Sequence, residues 1–208
     1  MKKIILSLMV ITSLAIAESD GGAMYIGLDV GAANVDRTFE LKGGGYSYKS
    51  STGNDRTTAG SIKVGFGKFE DNRLEVSLQQ YTSNSDSGNS TETLFNSSNT
   101  IGVGVDYLIT MPTVSPIILP FVKLGVNVSR AKLGFKTTAQ YSDEKRDTLY
   151  ALGGTLGAGV AFQITDFLDV LAGYDYTHRQ WQEMSSGPLT LKTTDKVQKL
   201  YAGLNLRF

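Results

Sequence analysis

His178 is the only histidine among 208 residues, so it is the one imidazole available as a base near neutral pH. It stands in Tyr176-Thr177-His178-Arg179-Gln180. A hydrolase or transferase would have to aim it at a nucleophile or a water. Asp175 and Ser185 could approach it, but no spacing obliges either to do so, and no His-x-Ser arrangement accompanies it. His178 therefore reads as an interfacial residue facing lipid head groups. Gly153-Gly154-Thr155-Leu156-Gly157-Ala158-Gly159 has the glycine density of a phosphate cradle without the Lys-Ser/Thr that completes one. Its small residues better suit a bending strand that leaves room for larger side chains opposite. Cysteine is absent, which removes disulfides and thiolate metal sites. No catalytic, cofactor-binding or metal-binding set emerges, and no enzymatic activity is expected.

What remains is charge at a fixed parity. Asp29, Lys63, Glu75, Asp106, Lys123, Asp175, Lys199 and Arg207 all lie on the polar face of segments whose other face is apolar. The period is two, which marks strands rather than helices. Ile26, Leu28, Val30 and Ala32 alternate with Tyr25, Gly27, Asp29 and Gly31, and the same alternation recurs around 61–66, 74–79, 101–107, 122–129, 152–163, 168–177 and 199–208. A tilted membrane-spanning strand needs about 9–11 residues, which these segments approach.

The connections alternate in length. Those at Lys68 to Arg73, Met111 to Pro120 and Thr165 to Phe167 are short. Those at Asp36 to Ala59, Thr82 to Asn99, Arg130 to Asp147 and Arg179 to Asp195 are long and polar. Short periplasmic turns opposite long extracellular loops are the outer-membrane pattern, and a soluble sandwich has no reason to adopt it. The expected fold is all-β: an eight-stranded antiparallel up-and-down transmembrane β-barrel with both termini in the periplasm. Phe66, Tyr107, Phe162 and Phe208 fall near the lower ends of descending strands, with Tyr174 and Tyr176 higher, as a membrane-interface girdle.

Residues 1–17 carry Lys2-Lys3, an apolar run from Ile4 to Ile16 and a small-x-small end at Ala15-Ile16-Ala17. Those are the three parts of a secretory signal peptide, leaving 18–208 as the barrel domain. The apolar run is short of the about 20 residues a spanning helix requires. Without Lys2 and Lys3, 18 basic side chains face 20 acidic ones, a balance that argues against a nucleic-acid partner. An eight-stranded barrel is just wide enough for side chains to fill it. Buried charges are costly unless paired. The inward charges therefore read as a mutually neutralising network that fills the lumen, and the closed form should conduct poorly.

The terminal Leu200-Tyr201-Ala202-Gly203-Leu204-Asn205-Leu206-Arg207-Phe208 resembles the closing-strand signal read by the barrel-assembly machinery, with Leu204, Leu206 and Phe208 at its alternating positions. Tyr25-Ile26-Gly27-Leu28-Asp29-Val30-Gly31 and Pro120-Phe121-Val122-Lys123-Leu124-Gly125-Val126 resemble an opening and a fifth strand of the same family. The whole of 18–208 is similar to the small outer-membrane barrels that include the transmembrane domain of outer-membrane protein A and the opacity-type adhesins. The resemblance implies a bacterial outer membrane reached through the periplasm, with the assembly machinery as a transient partner. With the sequence ending at Phe208, the peptidoglycan-binding role of the larger members is not expected.

Outer-membrane lipid and lipopolysaccharide are the expected surroundings, with Lys132, Lys136, Lys145, Arg146, Arg179 and Lys192 placed to meet anionic head groups at the rim. The segment Ser83 to Thr91 is almost wholly polar and could serve as a binding tip for an unidentified extracellular ligand. Three functions follow in order of expectation. The first is a non-enzymatic barrel supporting the envelope or presenting loops, the second a narrow pore, and the third an outer-leaflet lipid-modifying enzyme.

Overall fold

The computed structural model of the chain describes residues 24–43, 45–83, 99–111, 117–135, 145–186 and 189–208. The expected leader at 1–17 and most of the polar segment 83–91 lie outside them. The described strands are β1 (Met24–Gly43), β2 (Tyr46–Phe66), β3 (Arg73–Ser83), β4 (Asn99–Thr110), β5 (Ile118–Phe135), β6 (Lys145–Thr165), β7 (Leu168–Trp181), β8 (Met184–Ser186) and β9 (Leu189–Arg207). The sheet order is β1-β2-β3-β4-β5-β6-β7-β9-β8, and β9 pairs back onto β1. Every pairing is antiparallel. The sheet thus closes on itself and leaves no open edge through the barrel wall, while β8 adds three residues alongside β9 alone. None of the described elements is a helix, and no described helix is long and apolar enough to cross a membrane.

The alternation in sequence becomes an inside and an outside. Along β4 buried residues alternate with exposed or half-exposed ones over nearly the whole strand. Val30, Leu152 and Leu200 are 69%, 67% and 66% exposed on the outer wall. Such an apolar belt is untenable in water, but it matches the hydrocarbon band of a membrane barrel. Register aligns the aromatic positions too. Tyr107 pairs with Leu74, Leu74 with Phe66 and Phe66 with Met24, giving one outer row near the end that carries the short turns.

The strands run further than hydropathy alternation implies. The expected loop from Asp36 to Ala59 is largely a continuous β1–β2 hairpin. Its register shifts once, from Val35 opposite Asp55 to Arg37 opposite Thr52, and it reverses at Gly45, where φ is 83°. The expected loop from Arg179 to Asp195 is likewise mostly strand, with β7 continuing to Trp181 and β9 beginning at Leu189. In the third connection β5 reaches Phe135 and β6 starts at Lys145. Beyond the hydrocarbon the outer face of a strand meets water instead of lipid, so the hydropathy alternation fades. Backbone pairing and threonine-rich stretches such as Thr193-Thr194 still sustain the ladder.

Candidate functional site

The lumen is stratified. At the short-turn end, Phe69 folds in from the β2–β3 turn and packs with Leu108, Leu119, Phe121, Ala161, Leu171 and Tyr201 into a buried apolar cluster. The turn owes its shape to Gly67 at φ 123°, where a side chain would also press on the Asn72 carbonyl. Arg73 lies over the rings of Tyr25, Phe69 and Phe121 at 5.8, 5.9 and 5.9 Å. Arg207 donates through Nε to Asp169 at 2.7 Å and sits 5.0 Å from the centre of the Phe69 ring.

Above this plug are the remaining sequence-expected charges. Lys63 lies 3.1 Å from Asp29 and 3.3 Å from Glu75. Ser61 donates to Asp29 and the Tyr25 hydroxyl donates to Glu75, at 3.1 and 2.7 Å. On the facing wall, Asp175 is 3.0 Å from Lys123 and 3.1 Å from Lys199, and both ammonium groups lie over the Tyr201 ring. Asp106 is buried beside Gly125, whose missing side chain leaves room for its carboxylate. All eight expected lumen charges are thus inside: seven share this layer, and Arg207 belongs to the plug.

Next come uncharged polar groups. Gln79 donates to Ser77, Tyr81 donates to Gln79, and Asn127 donates to Thr155, whose hydroxyl lies 3.0 Å from that of Thr177. At the hairpin end, Arg37 grips Asp195 side-on, with Nε to Oδ1 at 2.6 Å and Nη2 to Oδ2 at 2.8 Å. Arg179 reaches across from β7 to lie 4.4 Å from the centre of the Tyr81 ring on β3. Outside the wall, Glu40 accepts from Lys42, which draws its carboxyl below the usual range, and Lys192 pairs with Glu183, which raises its ammonium.

Several inward groups were missed by sequence reasoning. Arg73, Asp169, Arg179 and Asp195 are all buried, and Arg37 nearly so. Asp169 shares the parity of Asp175, Arg73 that of Glu75, and Arg179 that of Thr177, so extending the alternation would have found three of them. Arg179 is 2% exposed and does not face lipid at the rim, because β7 continues through it. Of the other expected rim cations, Lys192 is half-buried, and the side chains of Lys132, Lys136, Lys145 and Arg146 lie outside the described residues.

Phe66, Tyr107, Phe162, Tyr174, Tyr176 and Phe208 all stand on the outer face, as do Leu204 and Leu206. The Phe208 amide donates to the Met24 carbonyl at 2.9 Å. His178 is exposed on the outer face, in register with Gly154 and Lys196. Asp175 points into the lumen, so the wall separates it from His178. Ser185 is exposed on β8, in register with Thr190. The described residues contain no group of three or more His, Cys, Asp or Glu side chains placed to hold a metal.

A closed antiparallel sheet with an apolar outer belt and a charged, filled interior defines a β-barrel of the kind that crosses outer membranes. Over residues 4–208 the sequence matches the model of the outer membrane protein beta-barrel domain, and the chain belongs to that family. It is a bacterial outer-membrane protein. No curated protein sequence matches the chain significantly. Among solved structures it is similar to Neisserial surface protein A, with 18% identity over 91% of this chain and all of that one, at a TM-score of 0.58. It also aligns with the outer membrane protein OprG from Pseudomonas aeruginosa, at 13% identity, 88% and 95% coverage and a TM-score of 0.46. For Ail, the attachment invasion locus protein of Yersinia pestis, the values are 15%, 85% and 97%, and 0.37.

Proposed function

We propose that the chain is a closed, non-enzymatic outer-membrane barrel whose work is done on its surface hairpins. In this reading the wall has eight membrane-crossing staves, with β8 belonging to the rim. Residues 1–17 direct export, both chain ends lie in the periplasm, and Leu204, Leu206 and Phe208 are presented to the assembly machinery. Outer-leaflet lipid and lipopolysaccharide surround the rim. The observation that carries the reading is the lumen itself, which is occupied from the plug around Phe69 to the Arg37–Asp195 pair. A barrel filled in this way offers its binding surface outside the wall. The exposed histidine, apart from Asp175, supports a non-catalytic role.

The β1–β2 hairpin is the largest described element beyond the belt, and it sets the test. A deletion strain is complemented with the full chain or with a chain whose hairpin is shortened across residues 38–51, a register-matched cut at Thr38 opposite Ser51. Dye exclusion should be restored by both versions, whereas adhesion to host-derived surfaces should be restored by the full chain alone. Equal adhesion from both versions would remove the hairpin from the function.

A further inference from the structure

Arg179, like Arg73 in the plug, is a buried cation short of hydrogen bonds within the protein. It is 2% exposed, and its Nε and Nη2 atoms have no hydrogen-bond partner within the protein. Arg179 lines a partly open cavity of about 30 Å³ at the hairpin end of the lumen, bounded also by Arg37, Tyr81, Thr100 and Asp195. A buried guanidinium left unpaired carries a large desolvation cost, so a partner is required.

The neighbouring groups do not supply one. Both Asp195 oxygens are engaged by Arg37. The Thr57 hydroxyl donates to the Thr82 carbonyl, and the Tyr81 hydroxyl donates to Gln79. Asp55, half-buried on the same lining, offsets part of the positive charge without a hydrogen bond to Arg179. Arg37 shows how a guanidinium is held at this end of the lumen. It uses Nε and Nη2 to hold a carboxylate side-on, and the same two atoms of Arg179 are unpaired. The cavity has room for about two waters, or for one head group of that size.

We propose that this cavity receives a single oxyanion, a carboxylate or a phosphate group carried by a larger molecule, against the guanidinium of Arg179. The Tyr81 ring backs the guanidinium and fixes its plane. Arg37 and Asp195, side by side on β1 and β9 and in register with Arg179 on β7, form the adjoining wall. That the group arrives from outside the cell rests on the orientation proposed above; the site itself does not.

The test uses the full chain in neutral detergent micelles with ¹⁵N-labelled arginine. Sodium acetate and sodium phosphate are titrated separately at an ionic strength held constant with chloride, while the arginine Nε–H signals are followed. Saturable shifts at Arg179 and Arg37 in the millimolar range are expected for at least one probe. Acetate alone would assign a carboxylate ligand, and phosphate alone a phosphoryl one. Arg179→Lys keeps the charge but loses the planar fork and should weaken binding by about tenfold or more, read at Arg37. Arg179→Gln should abolish the response; if that variant does not fold, the lysine variant carries the comparison. No saturable shift with either probe, or an Arg37 response unchanged in Arg179→Lys, would overturn the proposal. Neither result bears on whether the hairpins carry the surface role.

Discussion

At the scale of single residues, Asp175 has the most to hold. Its carboxylate serves two ammonium groups, Lys123 and Lys199, which share the face of Tyr201 at 4.7 and 4.6 Å. Asp175→Asn would leave two like charges buried without their nearest counter-ion. Breaking a buried pair in this way costs on the order of 3–5 kcal/mol. The Glu183–Lys192 pair on the outer surface is a direct control, since solvent screens it and Glu183→Gln should barely move stability. Urea unfolding in micelles should therefore show a clearly lower midpoint for the first variant and none for the second. Equal midpoints would mean that the lumen charges are hydrated well enough not to depend on one another. The eight expected lumen charges were legible because each sits opposite an apolar row. Arg179 and Asp195 were not, because they lie where the outer face has turned polar and the alternation no longer announces a strand.

Among elements, the pairing of β1 with β2 shows how side-chain size is matched across the wall. Tyr25 stands opposite Gly65, and a Cβ at Gly65 would overlap the tyrosine ring. The glycine lets that ring lie flat against the wall while its hydroxyl reaches Glu75. Gly154 on β6 faces outward, with nothing within 4 Å of where a Cβ would stand. Gly65→Val should thus cost about 1–3 kcal/mol of overpacking and more where the Tyr25–Glu75 bond breaks. Gly154→Val should be neutral or stabilising, since a β-branched residue suits an exposed strand position facing lipid. Thermal melting followed by circular dichroism separates the two, and an equal loss from both would count against the packing account. From sequence alone both glycines look like interruptions of a strand. Only the register reveals which one faces a ring. The hairpin extensions were hidden for a related reason: pairing continues where hydropathy no longer reports it.

For the whole molecule, closure of the sheet and filling of its lumen decide whether the barrel is a conduit. Ring closure through β1 and β9 leaves the interior as the only route across. That route must pass the plug, where Phe69, Leu108, Leu119, Phe121 and Leu171 pack against the Arg73 guanidinium and leave little to replace the hydration of a passing ion. The charged groups along the whole lumen could attract ions of either sign, since the buried acids and bases among the described residues are equal in number, six of each. Attraction without an exit does not produce current. The barrier is therefore assigned to the plug rather than to the salt bridges, and the two can be separated. In planar bilayers the wild-type chain should show no steady conductance. Phe69→Ala removes the one plug residue supplied by a turn, so the strands keep their pairing while the lower mouth opens to water. Brief openings should appear in that variant and lengthen when Phe121→Ala is added. Charge-removing variants such as Lys63→Met should stay silent. Steady current through the wild-type barrel would make it a narrow pore and return the function to the lumen.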